Sequence, residues 1–561
     1  MIELGRKTAV FAVNWVVLMN RYQNPGRLAL VASSIPHCEE TKCHEEVTHL
    51  QRMGSKCTQT QRHLRFSPPP VSGGFSVSGS KPCSIRRRPH VIKPWCPQAR
   101  RKHERIHGHR SAIGRREWYI LTLFDRQRLP AEVFRLDTER LRSGWYSDAY
   151  FINIQRILQR LSEEGYVLDG SAVGDIEVEM QIFTRRKPFS VIAGVDEALA
   201  ILEAATGYYD ANGKFVNTYK QLASVEAVYD GTIVHYSGDP KRVSPVIRIR
   251  GRYRDFAILE TPILGALAEP TRIATNVFEV LDAAKGKDLL FFPARFAHYK
   301  LQAMHGYAYQ VAISAYNQQF GAHSQPLVST DDQGAWWGGK GAGTMSHSFI
   351  AAFLGQTEEA MLQFARVMPS DVPRVALVDF HNDCIGTTLR VMKRMWHAYR
   401  EAYQSGDFEA AKRFRLFGVR PDTSGSLRDR GIEPLGDPSL DCGVTPRLVW
   451  ALRKAIDSAW EEWSVSGEWE ERARAWCANV KIIATGGFDP EKIRRFEALQ
   501  VPVDMYGIGS YLLTNCRKCG VNNDFTADIV RVFHRGEWIP MAKEGRAPGD
   551  NPDLQLVHKR A

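Results

Sequence analysis

The sequence predicts an α/β protein whose centre is a parallel sheet, open or closed into a barrel, preceded by a smaller α+β domain. From about residue 272, short apolar segments typical of strands alternate with helical patterns, as in repeated β–α units. Between residues 145 and 270 the two kinds of pattern are mixed instead. With 561 residues, 44% of them apolar, the chain is long enough to form two domains.

The first 110 residues differ in composition from the rest. They hold 19 Lys/Arg against 6 Asp/Glu, whereas the remainder of the chain is close to neutral. They show little periodicity, so we expect residues 1–110 to be a disordered basic extension. Three origins stay open: a signal peptide with its core at 8–19, an organellar transit peptide, or upstream sequence included by a mis-set start codon. The apolar run of 12 residues is too short to span a bilayer.

A nucleic-acid-binding protein that acts through this basic extension is the alternative from another functional class. Positive charge alone gives salt-sensitive, unspecific binding, and the sequence has no module that reads bases. We therefore expect neither a specific nucleic-acid partner nor a membrane partner. Deleting residues 1–110 would discriminate, because a nucleic-acid binder would lose its activity and an enzyme formed by the later residues would keep it.

Cysteine usage is typical of a reducing compartment, and we expect a cytoplasmic location. Five of the ten cysteines lie within residues 1–110. Cys516 and Cys519 have the spacing of metal ligands, but the chain has no second Cys-x-x-Cys. We interpret them as unpaired loop thiols and predict no metal held by the protein alone.

Residues 145–270 are predicted to form the α+β domain. Trp145 and Tyr146 precede apolar residues at helical spacing, which continue to Leu161. Alternating patterns at 177–183 and 245–250 indicate half-buried strands. Helical patterns accompany them near 196–205 and 256–267.

Residues 271–535 are predicted to form the sheet or barrel, and 536–561 a C-terminal tail. The candidate strands are 288–292, 326–329, 374–379, 415–420, 480–485 and 503–506. Polar residues follow the ends of these strands, namely Arg295, 329–332, Asp379, and Arg420 with Asp422. In α/β barrels the active site lies at the carboxyl ends of the strands, so this clustering favours an enzyme.

Two of the candidate strands end in glycines. Strand 480–485 is followed by Gly486 and Gly487, and then by a helix for which 489–490 (Asp-Pro) is a typical beginning. Strand 503–506 is followed by Gly507 and Gly509. Glycine lets the backbone approach a ligand closely, and amide groups at a helix N-terminus favour a phosphate. An isolated glycine pair is more often only a tight turn, so both interpretations stay open on these residues alone.

A glycine-rich segment at 336–348 is a further candidate. It contains Gly-Lys-Gly but lacks the spacing of a P-loop, so an ATPase of that kind is excluded. His347 precedes the apolar run 349–354. Taken alone, a histidine in that position is more often a packed core residue than a functional one.

Six segments, taken together and in order, resemble those of nicotinate phosphoribosyltransferases. They are 291–296 (FFPARF), 329–338 (STDDQGAWWG), 343–348 (GTMSHS), 377–384 (LVDFHNDC), 418–424 (GVRPDTS) and 485–489 (TGGFD). The similarity covers roughly 145–535. It implies an irregular α/β barrel of the type II phosphoribosyltransferase kind, joined to a smaller α+β domain, in a homodimer with active sites at the subunit boundary.

The resemblance also implies a reaction. Nicotinate and phosphoribosyl pyrophosphate would give nicotinate mononucleotide and pyrophosphate, with ATP as co-substrate and Mg²⁺ bound through the substrate, in NAD biosynthesis. The attacking pyridine nitrogen already has a lone pair, so no general base is required. Catalysis is therefore expected from positioning and charge stabilisation.

Individual roles follow from the matching motifs. Backbone amides at Gly486, Gly487, Gly507 and Gly509 would hold the 5′-phosphate. Asp422 would bind ribose hydroxyls or the Mg²⁺-pyrophosphate side. Arg295 and Arg420 are the candidates for the ring and its carboxylate, because a guanidinium matches a carboxylate with two hydrogen bonds.

The remaining roles are also implied by the family. Asp379 would lie beside the ring, and Thr344, Ser348 and Thr423 are further substrate-binding candidates. Tyr150 would stack on the substrate of the neighbouring subunit. His347 matches a histidine that the family phosphorylates from ATP.

Three departures from the pattern bear on the choice of substrate. The sequence Arg420-Pro421-Asp422 is the form seen in nicotinamide phosphoribosyltransferases, Phe296 stands where a second arginine is common, and Ser346 where proline is frequent. A nicotinamide phosphoribosyltransferase is therefore the alternative.

Overall fold

Two six-stranded sheets organise the part of the chain that the structure describes. The structure is a computed structural model and describes residues 127–561. The prediction for residues 1–110 lies outside the described residues.

The strands alternate with turns and helices along the chain. In order, they are β1 (Val167–Leu168), β2 (Ser171–Ala172), β3 (Glu177–Thr184), β4 (Phe189–Val191), β5 (Gly207–Tyr209), β6 (Phe215–Asn217), β7 (Ser224–Ala227), β8 (Ile233–His235), β9 (Ile247–Arg252), β10 (Leu289–Phe291), β11 (Leu327–Val328), β12 (Val375–Leu377), β13 (Gly418–Arg420), β14 (Lys481–Ala484), β15 (Met505–Ile508), β16 (Phe525–His534), β17 (Glu537–Pro540) and β18 (Gln555–Lys559).

The α-helices cover the sheets. They are α1 (Thr138–Arg142), α2 (Ala149–Glu163), α3 (Val195–Ala205), α4 (Glu260–Ala283), α5 (Gln302–Phe320), α6 (His347–Ala352), α7 (Thr357–Val367), α8 (Cys384–Gln404), α9 (Phe408–Arg413), α10 (Pro438–Asp441), α11 (Pro446–Ser458), α12 (Glu468–Ala478) and α13 (Pro490–Ala498).

Of the two six-stranded sheets, the second, formed by β10 to β15, is parallel throughout and confirms the predicted fold class. Its order is β11-β10-β15-β14-β13-β12, so the six predicted strands follow the order of an α/β barrel that is interrupted between β11 and β12. Alternate residues of these strands point to opposite faces. Leu289 and Phe291 pack outward in the core formed with the helices, whereas Leu290 faces the barrel interior with Ile483 and Met505.

The segment 341–345 lies along the interruption. Gly341 forms a bridge to Val328 of β11, and the Sδ atom of Met345 accepts a hydrogen bond from the amide of Leu377 in β12 at 3.4 Å. The barrel is therefore irregular, because a non-strand segment closes it.

The first sheet is antiparallel, with the order β17-β16-β3-β9-β7-β18. One face packs against α3 and the first half of α4, which contribute Leu202 and Ile263 to a core with Met180 and Ile249. The mixed pattern between 145 and 270 thus corresponds to a helix-covered antiparallel sheet.

The C-terminal residues belong to this first sheet. Strand β16 pairs with β3, and β18 pairs with β7. The predicted division at residue 535 therefore does not follow the sheets, and 536–561 is not a free tail. The sequence analysis missed this because the partner strands are more than 300 residues away along the chain.

We expect a chain that ends at residue 535 to be much less stable than the full chain. Three hydrogen bonds anchor the lost segment: Gly549 N to Gln181 Oε1 at 2.7 Å, Gln181 Nε2 to Ala547 O at 3.0 Å, and Asn551 Nδ2 to Pro245 O at 2.9 Å. At about 1 kcal/mol each they contribute about 3 kcal/mol, in addition to the lost strand pairing. Chemical denaturation followed by circular dichroism measures the loss, and an unchanged midpoint would contradict the expectation.

Cys516 and Cys519 form a disulfide, with their Cα atoms 5.2 Å apart. The prediction of unpaired loop thiols is therefore wrong, because the turn between them brings the two Cα atoms within disulfide range. In the part of the chain that the structure describes, no helix is both long and apolar enough to cross a membrane.

Candidate functional site

A cavity of about 510 Å³ occupies the carboxyl end of the barrel. Residues at or just after the strand ends line it: Arg295 after β10, Ser329 after β11, Arg420 and Asp422 at β13, Thr485 to Phe488 after β14, and Gly509 to Tyr511 after β15. The floor is apolar and consists of Leu290, Leu327, Val375, Ile483 and Met505. A polar rim over an apolar floor suits a flat ring that carries charged groups.

The predicted glycine turn lies at this rim. Gly486 and Gly487 have φ values of +92° and +65°, which favour glycine. A Cβ atom on Gly486 would also stand 3.4 Å from Asp422 Oδ1. Asp489 caps α13 by accepting the Lys492 amide at 2.8 Å, and Pro490 begins the helix. The turn thus places a helix N-terminus beside the cavity, where an anion is favoured.

Gly507 and Gly509 line the same cavity, but glycine is required there for a different reason, namely the space that neighbouring side chains need. Gly507 lies within β15, where a Cβ atom would be 2.5 Å from Thr485 Cγ2 and 2.8 Å from the Phe292 ring. At Gly509 a Cβ atom would be 2.6 Å from the Phe296 ring. These two glycines make room for neighbouring side chains.

Asp422 is held in place by Thr485. The Thr485 hydroxyl donates to Asp422 Oδ1 at 2.7 Å. The other carboxylate oxygen is 3.7 Å from Arg420 Nη1. The carboxylate is therefore oriented at the rim, with one oxygen little used by the protein.

Two guanidinium groups share the cavity. Arg420 is mostly buried, donates to Met345 O at 3.2 Å and lies 5.9 Å from the centre of the Phe292 ring. Burial lowers the pKa of Arg420, although the nearby Asp422 and Asp379 oppose this effect. Arg295 lies 5.4 Å from the centre of the Phe296 ring. Together they can bind an anionic group that enters between them.

His347 and Asp379 form a pair outside the cavity lining. His347 begins α6, which Ser346 caps, and its Nε2 lies 3.1 Å from both oxygens of Asp379. The His347 side chain is 48% exposed, whereas that of Asp379 is 9% exposed. Burial raises the pKa of Asp379, and His347 opposes that rise. Asp379, which the resemblance places beside the ring, thus contacts His347, and its role at the ring stays a prediction.

Of the four other substrate-binding candidates, Thr344, Ser348, Thr423 and Tyr150, only one lines the cavity. Thr344 lines it. The Ser348 hydroxyl pairs with that of Ser346 at 2.7 Å, and Thr423 is buried with its hydroxyl 3.4 Å from Cys384 Sγ. Tyr150 lies on α2, is 56% exposed and is not part of this lining.

Sequence reasoning gave no role to two residues of the site. The segment 485–489 includes Thr485 without a role of its own, yet its hydroxyl orients Asp422. The sequence predicts Lys492 only as part of a helix, yet its Nζ donates to Gly486 O at 3.1 Å. The available signal was their position in the chain: Thr485 directly precedes the glycine turn, and Lys492 lies in the first turn of the helix that follows it.

Comparison with known proteins shows which proteins this chain is similar to. A family model described as quinolinate phosphoribosyl transferase, N-terminal domain, matches residues 148–271. Nicotinate phosphoribosyltransferase pncB2 of Mycobacterium tuberculosis is 25% identical over 352 residues, which are 59% of this chain and 61% of that protein. Nicotinate phosphoribosyltransferase pncB1 of the same organism is 22% identical over 392 residues, 67% of this chain and 70% of that protein. Over these stretches the chain is similar to nicotinate phosphoribosyltransferases.

These similarities confirm the resemblance drawn from the six motifs. The chain spans 61% of the length of the first of these relatives. Among solved structures, nicotinate-nucleotide pyrophosphorylase from Pyrococcus furiosus is 26% identical with a TM-score of 0.48, over 76% of this chain and 86% of that one.

Proposed function

We propose that this protein is a nicotinate phosphoribosyltransferase that forms nicotinate mononucleotide and pyrophosphate, with ATP hydrolysis, in NAD biosynthesis. The observation that carries the proposal is the single cavity that combines the Gly486 turn, Asp422, Arg295 and Arg420. The Gly486 turn suits a sugar phosphate, Asp422 suits a ribose or a metal-diphosphate, and the two arginines suit a ring carboxylate. The names of the curated relatives support the same reaction.

The transfer needs positioning more than acid–base chemistry. The pyridine nitrogen attacks C1′ of the sugar with its own lone pair, while the bond from C1′ to pyrophosphate breaks and its electron pair leaves with pyrophosphate. Positive charge grows at the sugar, and the nearby Asp422 carboxylate stabilises it. Arg295 and Arg420 hold the ring so that its nitrogen points at C1′.

The donor set fits an Mg²⁺ ion that arrives with the diphosphate. Within residues 127–561, no group of three or more His, Cys, Asp or Glu side chains could hold a metal ion by itself. Mg²⁺ binds commonly through one or two carboxylates and the substrate phosphates. Asp422 would hold it through the oxygen that Thr485 does not use, and bound Mg²⁺ would neutralise charge on the leaving pyrophosphate.

The proposal includes phosphorylation of His347 by ATP. With Nε2 hydrogen-bonded to Asp379, Nδ1 has the lone pair that attacks the γ-phosphorus, and ADP leaves with the electrons of the broken bond. The exposure of the imidazole supports access by a nucleotide. Asp379 stabilises the positive charge that the ring acquires.

We also propose a homodimer, in which Tyr150 of one protomer stacks on the substrate of the other. The exposed ring on α2, which is not part of the cavity lining of its own chain, supports this role. A cytoplasmic location stays a prediction.

Nicotinamide phosphoribosyl transfer is the second candidate, favoured by Pro421 between Arg420 and Asp422. We expect nicotinate to be used with a kcat/KM about a hundredfold higher, because nicotinamide leaves the guanidinium groups without a carboxylate. Product analysis by mass spectrometry with nicotinate, nicotinamide and quinolinate in parallel, with and without ATP, measures this.

Arg295→Lys tests the origin of this preference. We expect it to raise the KM for nicotinate about tenfold and to leave the KM for phosphoribosyl pyrophosphate unchanged. Arg474→Lys, at an exposed position of α12, is the matched control. Equal use of nicotinate and nicotinamide by the natural protein would favour the second candidate.

A further inference from the structure

Lys492 is a cation beside the phosphate turn that the proposed function leaves unused. Its side chain folds back from α13 over two aromatic rings, with Nζ 4.1 Å from the centre of the Phe488 ring and 5.9 Å from that of Phe496. There it donates to the carbonyl oxygen of Gly486 at 3.1 Å. The ammonium group is thus fixed against the peptide that joins the two glycines.

This positive charge has no ion-pair partner among the described residues. Asp489, which caps the same helix, accepts the Lys492 amide through Oδ1 and forms no ion pair with Nζ. Asp422, the carboxylate that a Cβ atom on Gly486 would meet, accepts the Thr485 hydroxyl at 2.7 Å and lies 3.7 Å from Arg420 Nη1. A partly buried ammonium without a carboxylate is costly, unless an anion binds beside it.

The hydrogen bond from Lys492 to the Gly486 carbonyl also fixes the direction of the Gly487 N–H. The C=O and N–H of a trans peptide point in opposite directions. Holding the Gly486 carbonyl on Lys492 therefore directs the Gly487 N–H away from the lysine, and Gly487 lines the cavity. Without this contact, two glycines with positive φ would leave the peptide free to rotate.

We propose that Lys492 is a positioning residue for the phosphate subsite: it locks the 486–487 peptide with its N–H toward the cavity and supplies positive charge behind it. The ligand class is a sugar 5-phosphate. The proposal rests on the proposed function for its place in the reaction, but the subsite can be tested without turnover.

The contact also predicts a pH dependence. Burial lowers the pKa of Lys492 to about 8, and Asp489 opposes this effect. Below that pH the ammonium is charged and binds the Gly486 carbonyl. Above it the charge is lost, so affinity for a sugar phosphate is expected to fall as the pH rises through 8, although the phosphate itself gains rather than loses negative charge over this range.

The test uses ribose 5-phosphate as the probe, with binding to the full chain measured by calorimetry at pH 7 and pH 9. We expect Lys492→Met to bind it about tenfold more weakly than the natural protein at pH 7 and to lose the fall at pH 9. Lys492→Arg should recover most of the affinity and show no fall at pH 9. Lys393→Met, at an exposed position of α8, should match the natural protein.

Activity measurements give an independent readout. In Lys492→Met the KM for phosphoribosyl pyrophosphate should rise about tenfold, while the KM for nicotinate stays within about twofold. Natural-like ribose 5-phosphate affinity in Lys492→Met would overturn the proposal. If that variant does not fold, affinity of the natural protein that stays constant from pH 7 to pH 9 would overturn it. A third outcome is ribose 5-phosphate binding that depends on Lys492 in a protein that forms no nucleotide from any base. That result would support the proposed role of Lys492 and reject the proposed function.

Discussion

Asp422→Asn is expected to reduce nucleotide formation about a thousandfold while the protein stays folded. The asparagine side chain has the same shape and can still accept the Thr485 hydroxyl that now donates to Asp422 Oδ1 at 2.7 Å. What disappears is the negative charge, which the transition state needs either to hold Mg²⁺ or to stabilise the sugar cation. Removing one preorganised electrostatic group from an active site costs about 10²–10³ in kcat. Steady-state kinetics with saturating nicotinate and phosphoribosyl pyrophosphate measures the loss.

Two further variants separate charge from orientation. Thr485→Val keeps the carboxylate but removes its hydrogen bond, so we expect a smaller loss of about tenfold. Asp371→Asn removes an exposed carboxylate just before β12, at the opposite end of the barrel, and should have no effect. Turnover of Asp422→Asn close to that of the natural protein would remove Asp422 from the reaction.

The parallel sheet could be predicted because its signals are local. Each of its six strands is a short, mostly apolar segment followed by a turn and a helix, and the polar residues after the strands meet at one edge by topology alone. The glycine turn was predictable for the same reason, since Asp489 and Pro490 mark the start of the next helix within five residues.

The parts that could not be predicted depend on contacts between distant residues. Strand β16 carries charged residues and pairs with β3, far away along the chain, so no local pattern assigns it to the first sheet. Asp379 follows β12, two residues beyond the end of the strand, but only the three-dimensional position of α6 shows that it contacts His347. The same holds for Lys492, whose helical spacing gives no sign that its side chain reaches back to Gly486.

His347→Ala is expected to separate ATP hydrolysis from transfer. The proposed phosphohistidine would tighten substrate binding, and such couplings amount to about 5–150-fold in affinity. We therefore expect the variant to lose ATP hydrolysis that depends on nicotinate and phosphoribosyl pyrophosphate, and to keep slow transfer at high substrate concentrations. The KM values measured with and without ATP, which we expect to differ in the natural protein, should become equal.

Asp379→Asn gives the second half of this test. Its amide oxygen can still accept from Nε2–H of His347, now 3.1 Å from the carboxylate, but it no longer stabilises a positive ring. Phosphorylation should slow, while transfer without ATP stays at the level of the natural protein, because Asp379 lies outside the cavity lining. His323→Ala, at an exposed histidine between α5 and β11, is the control for an imidazole that no proposal uses. Stimulation by ATP that persists in His347→Ala would show that the phosphoryl group is carried elsewhere, and an Asp379→Asn variant slowed equally with and without ATP would place that carboxylate at the ring after all.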